Sequence, residues 1–145
     1  MSKPYTIYLC GSMRKYPQYN FDQFYELERI VYDVFDKIMK KHDVHVDLRV
    51  FNPARIDVEE RGFDPWSLPE DTDWCQLPSD LNIREIAAQD SSLVCKSDAL
   101  LAMKWWIYSQ GATAEVDIAK WINIPVCEVD SAYMYDRLSS SEIKQ

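Results

Sequence analysis

The sequence predicts an α/β fold: a doubly wound, flavodoxin- or Rossmann-like parallel sheet of about four to five strands, flanked by helices. Three observations predict it. Short apolar runs and longer amphipathic stretches alternate as strand, helix, strand, helix, strand, helix, strand. Two of the strand-like runs, residues 6–10 and 98–103, are apolar almost throughout, as in sheets covered on both faces. The chain has 145 residues, 47% of them apolar and 28% charged, which suits a single domain over residues 1–145 with a sizeable core. Right-handed crossovers then place a ligand site beyond the carboxyl ends of the strands.

Taken in order, residues 6–10 form a buried strand stopped by Gly11-Ser12. Asn20, with Gln23 three residues on, has capping-box spacing and opens a helix that runs to about Lys41. Its stripe is Phe21, Phe24, Leu27, Val31, Val34, Phe35 and Ile38. Residues 44–51 alternate apolar and polar side chains and enter Asn52-Pro53, a second strand and its stop. Over residues 55–79 the pattern fails, because Gly62, Pro65, Pro69 and Pro78 interrupt a run of acidic residues and two tryptophans. A long loop of this kind is expected to act as a lid or an interface. A helix over 80–96, a strand over 98–103, a loop holding Trp105-Trp106, a helix over 112–121 and a strand over 125–129 complete the alternation.

Charge and composition exclude several functions. With 24 Asp+Glu against 16 Lys+Arg, a net of −8, the chain lacks the basic face that a nucleic acid polymer rewards. A small anion met by one or two cations fits. No apolar run approaches the ~18 residues of a membrane span, and the N-terminus shows no signal-peptide pattern, so a cytoplasmic protein with no membrane partner is expected. Cys10, Cys75, Cys95 and Cys127 form no CxxC pair and read as reduced packing thiols. Only three glycines occur, where average usage of ~7% gives about ten, so each is expected where the backbone needs one.

Two loops could hold an anion. In Tyr8-Leu9-Cys10-Gly11-Ser12-Met13-Arg14, a strand ends on a glycine followed by a hydroxyl and a guanidinium, which is either a phosphate cradle or an ordinary turn with a surface Arg. In Ser109-Gln110-Gly111-Ala112, a serine N-cap opens a helix. It serves either the helix alone or an anion at the helix N-terminus.

Two carboxylates lie on apolar stripes. Asp90 falls in line with Ile83, Ile86, Ala87, Leu93 and Val94. Glu115 lies with Ala112, Ala119 and Ile122, while Asp117 and Lys120 face the other way. Burying a carboxylate costs several kcal/mol unless it is paired or hydrogen-bonded. The two are either satisfied by helix-to-loop hydrogen bonds or form an acid and nucleophile pair of the kind glycoside chemistry needs. His42 and His45 flank a turn and make a weak metal motif, so no metal and no cofactor is expected. Trp105 and Trp106 could stack a planar base or close the end of a strand.

These residues are similar to a known family. The chain resembles the nucleoside 2-deoxyribosyltransferase superfamily, and most closely its 2′-deoxynucleoside 5′-monophosphate N-hydrolase branch. Tyr8-Leu9-Cys10-Gly11-Ser12-Met13-Arg14 is similar to that branch's first-strand motif. Asp90 and Asp98 match its pair of aspartates eight residues apart, and Ser109 and Glu115 its serine six residues before a helical glutamate. Tyr19-Asn20-Phe21, Phe51-Asn52-Pro53 and residues 109–115 also resemble small uncharacterised phage proteins of the same superfamily. The likeness spans about residues 5–129. The interval from Asp98 to Ser109 is one residue longer than in the hydrolases, and residues 55–79 have no counterpart.

The resemblance implies hydrolysis of the N-glycosidic bond of a (deoxy)nucleoside 5′-monophosphate, releasing a free base without a metal. Glu115 would be the nucleophile and Asp90 its partner. Tyr8 would line the sugar pocket, and Gly11, Ser12, Arg14, Ser109 and Gly111 would hold the phosphate. Asp98, Trp105 and Trp106 would border the substrate pocket. Transferases of the superfamily carry Asp where Ser109 stands; a serine adds no charge against a phosphate, which favours a nucleotide substrate and water as acceptor. Ser131 matches a phosphate-binding serine lent by a neighbouring subunit, and so implies a homodimer. The rival expectations are a base-exchanging transferase, a non-catalytic nucleotide binder, and a glycohydrolase acting on a dinucleotide.

Overall fold

The computed structural model describes residues 3–129. Four parallel strands, β1 (Tyr5–Cys10), β2 (Leu48–Phe51), β3 (Ala99–Met103) and β4 (Val126–Val129), form one sheet in the order β2-β1-β3-β4. Central β1 pairs Tyr8 with Phe51 on one side and with Leu100 on the other. The helices are α1 (Phe21–His42), α2 (Pro53–Arg61), α3 (Ile83–Cys95) and α4 (Gln110–Trp121). The fold is therefore the expected doubly wound α/β domain. Its strand order reverses between β1 and β3, and at such a switch point the carboxyl ends of the strands open a crevice.

The period of two along β1 sorts its side chains into two cores. Ile7 and Leu9 face α1, with Phe21, Phe24, Leu27, Val31 and Met103. Tyr8 and Cys10 face the other layer, with Val94 of α3 and Ala112, Val116 and Ala119 of α4. The expected stripe of α1 is buried only as far as Val31; Val34 and Ile38 stand 44% and 46% exposed. A helix of 22 residues is ~33 Å long, and the ~20 Å sheet cannot cover it.

Two local expectations need correction. Asn20 makes no capping box: it takes a left-handed φ of 65° and its amide donates to the Ser12 carbonyl at 2.9 Å. Gln23 Oε1 is buried with no hydrogen-bond partner among the described residues. Residues 55–79 are not irregular throughout, because residues 53–61 are α2. Asn52 caps that helix by accepting from the Ala54 and Arg55 N–H groups, Pro53 opens it, and Gly62 ends it at φ 66°.

Beyond α2 the chain forms an aromatic clasp against the start of α1. Trp74 meets Tyr19 edge-on at 5.0 Å, Phe63 meets Phe21 at 5.6 Å, and the Trp66 indole donates to Asp22 at 2.8 Å. The clasp also holds the β1–α1 loop: the Lys15 N–H donates to the Trp74 carbonyl at 2.8 Å, and the Tyr19 hydroxyl to that of Gln76 at 2.5 Å. Gln18, Tyr19 and Asn20 are three successive non-glycine residues with left-handed φ of 47°, 52° and 65°. Each costs on the order of 1 kcal/mol, so surrounding contacts must impose the conformation.

A buried ion pair joins α1 to α2. Glu28, 7% exposed, accepts from Arg55 Nε at 2.9 Å, and the Arg55 guanidinium lies 4.6 Å from the Tyr25 ring. Arg55→Met would leave the Glu28 carboxylate buried without its cation. We expect a loss of about 2 kcal/mol, or roughly 5–8 °C in a thermal melt, because Arg55 itself is partly open to solvent. An unchanged melting temperature would refute this role for the pair.

Candidate active site

The site grows out of the β1 face that meets α3 and α4. Tyr8 is fully buried, and its hydroxyl donates to Glu115 Oε2 in a short hydrogen bond. The Cys10 thiol reaches Glu115 Oε1 at 3.5 Å and the Ala112 carbonyl at 3.4 Å. Glu115 is brought there by helical spacing, three residues after Ala112 and four before Ala119, both buried. Asp117 and Lys120 are exposed on the opposite face, as expected. Burial pushes the Glu115 carboxyl up to about 7, while the hydrogen bonds from Tyr8 and then Cys10 oppose the rise. Burial and the Glu115 charge hold the Tyr8 hydroxyl and the Cys10 thiol well above their ordinary values, so both keep their protons.

Asp90 joins this group from α3, which packs on α4. Its carboxyl is pushed up to about 8, chiefly by burial, then by the negative charges of Glu115 and Asp57, with Arg61 pulling the other way. Two carboxyls on neighbouring helices thus share one partly dry site. The stripe around Asp90 is less buried than its spacing implies: Ile83 is 50% exposed and Ala87 is also exposed, and full burial is reached only at Val94.

The loop that follows β1 meets the loop that follows β3 through Ser12. Ser12 is buried, and its hydroxyl donates to the Trp105 carbonyl at 3.0 Å, bridging the loops that follow β1 and β3. Arg14 is exposed and makes no ion pair among the described residues. Ser109 caps α4 by accepting from the Ala112 N–H at 3.2 Å, which leaves its own hydroxyl proton to donate. The glycines have different reasons. A Cβ on Gly11 would fall 2.2 Å from the Met103 terminal methyl and 3.2 Å from the Met103 Cβ, so a larger residue there would have to displace the Met103 side chain. A Cβ on Gly111 would meet nothing within 4 Å.

Asp98 does not border this site. It precedes β3 at the opposite end of the strand, where it accepts from the Thr6 N–H at 2.8 Å and the Thr6 hydroxyl at 3.0 Å. Those bonds hold its carboxyl below the usual range. Trp105 and Trp106 lie in the loop that follows β3. Trp105 is 46% exposed with φ 73°, and the Trp106 indole donates to Glu128 at 3.3 Å. With Lys104, Ile107 and Tyr108 they line a recess of about 260 Å³. Ser131 lies outside the described residues.

The chain matches no family model, no curated protein and no solved structure. The site must therefore be read from its own chemistry. Three of its residues escape sequence reasoning. Cys10 alone of the four cysteines is buried, whereas Cys75, Cys95 and Cys127 are exposed rather than packed. Alternation along β1 places Cys10 beside Tyr8, and that was the available signal. Asp57 and Arg61 come from α2, whose charged sequence carries no apolar stripe to reveal a buried face. Among the described residues no three His, Cys, Asp or Glu side chains are grouped to hold a metal ion.

Proposed function

We propose that the chain hydrolyses the N-glycosidic bond of a nucleoside 5′-monophosphate. The observation that carries the reading is the contact of Tyr8 with Glu115 beside Asp90, at the edge where the loops that follow β1 and β3 meet. An ionised Glu115 attacks C1′ as the C1′–N bond breaks, and the departing base takes the proton of Asp90. The sugar is then held as an ester of Glu115. Water attacks C1′, its proton passes to the Asp90 carboxylate, and the ester bond breaks to release sugar 5-phosphate. Tyr8 fixes the nucleophile's orientation, since its hydroxyl is buried and has a single acceptor there. Arg14 with the Ser12 and Ser109 loops would receive the phosphate, and Trp105 would border the base.

The reaction needs Glu115 ionised and Asp90 protonated. kcat/KM should therefore fall below about pH 7, as Glu115 takes up a proton, and above about pH 8, as Asp90 loses its own. A panel of ribo- and deoxyribonucleoside monophosphates, with chromatographic detection of free base, tests the activity and its narrow bell. No base from any member of the panel, with the fold intact, sinks the reading. Labelled adenine in the same reactions separates hydrolysis from base exchange.

A further inference from the structure

We propose that Asp57 is a positioning residue for Asp90, its charge fixed by Arg61 and directed from α2 at the carboxyl on α3. The inference rests on the reading of Asp90 as the acid of the N-glycosidase. Asp57 is 5% exposed and accepts from Arg61 Nη1 at 2.6 Å. The other end of the same guanidinium donates to Gln89 Oε1, and Gln89 Nε2 donates to Glu60 at 2.7 Å. The pair therefore ties α2 to the residue immediately before Asp90. A guanidinium fork can hold both partners at once, which an ammonium cannot do with the same rigidity.

The groups that act on Asp90 come from three elements: Asp57 and Arg61 from α2, Glu115 from α4, and Tyr8 and Cys10 from β1. Tyr8 and Cys10 stay neutral, so the negative charges that oppose ionisation of Asp90 are those of Glu115 and Asp57. The charge of Glu115 disappears when it becomes an ester to C1′. That of Asp57 persists at pH 7 to 8, since burial pushes its carboxyl up only to about 6 with Arg61 pulling the other way. Between the two half-reactions Asp57 is then the remaining anion that keeps Asp90 basic enough to accept the proton of the attacking water.

The test follows the Asp90 carboxyl by carbon NMR in protein labelled with [4-¹³C]aspartate, its resonance identified by its loss in Asp90→Asn. Asp57→Asn keeps an acceptor for Arg61 and removes only the charge. We expect the Asp90 midpoint to fall by about one pH unit, and the alkaline limb of kcat/KM to move with it. Should Asp57→Asn fold poorly around an uncompensated Arg61, the neutral pair Asp57→Asn/Arg61→Gln replaces it, with a smaller downward shift expected because the opposing pull of Arg61 on Asp90 is removed as well. A midpoint that stays in place in the folded variant overturns the proposal. The titration needs no turnover, so it decides this point even if the monophosphate panel yields no base.

Discussion

Glu115→Gln is expected to lower the rate of base release by at least about 10⁴-fold while nucleotide binding survives. Glutamine has nearly the shape of glutamate and still offers an oxygen to the Tyr8 hydroxyl, so the buried donor keeps its acceptor and the fold should hold. What is lost is the negative charge that attacks C1′. Binding by calorimetry alongside turnover separates the two effects. Retained turnover would remove Glu115 from the role of nucleophile. Equal loss of binding and turnover would instead mark it as part of the nucleotide pocket alone.

Asp90→Asn should be more stable than the parent chain at pH 8 by several kcal/mol, and this gap should close towards pH 5. The folded chain binds the Asp90 proton with a pKa of about 8, whereas the unfolded chain releases it near the ordinary carboxylate value. Between those two points the folded state holds a proton that the unfolded state lacks, so stability falls as pH rises through the window. Glu115, at about 7, adds to the same trend over a shorter range. Asparagine cannot ionise and removes the dependence due to Asp90. Thermal melts at pH 5, 6.5 and 8 check the sign, and a parent chain that grows more stable towards pH 8 would contradict it. In the first half-reaction the same variant should lose base release least with leaving groups that depart without a proton, since for that step the substitution removes only the acid.

The parallel sheet and the inward carboxylates were legible because each rests on a short-range period, whereas the strand order was not. Apolar runs stopped by Gly11 or Pro53 mark strands, and Asp90 and Glu115 stand out only against a helical stripe. Asp98 shows where such reading ends. Its interval from Asp90 matches the family's, but a residue that precedes β3 sits at the amino end of the strand, away from the ligand edge, and Thr6 claims it there. Helix α2 was hidden for a different reason. Its caps, Asn52 and Gly62, were present in the sequence, yet Arg55, Asp57, Glu59, Glu60 and Arg61 mask a buried side that exists only because Glu28 and Gln89 supply partners. The capping box at Asn20 failed because the residue takes a left-handed backbone, from which its side chain donates to the Ser12 carbonyl rather than capping α1.

The left-handed run at Gln18, Tyr19 and Asn20 bears on the thermodynamics of ligand capture. Its conformation is imposed by contacts with the clasp, 57 residues later in the chain between Tyr19 and Gln76. The loop that presents Arg14 is consequently ordered before any anion arrives. Freedom that a floppy loop would surrender on meeting its ligand has already been surrendered during folding. Under the nucleotide reading, the phosphate then meets an arrangement set by residues it never touches, and changes at Trp74 or Gln76 would register as a larger entropic penalty of association.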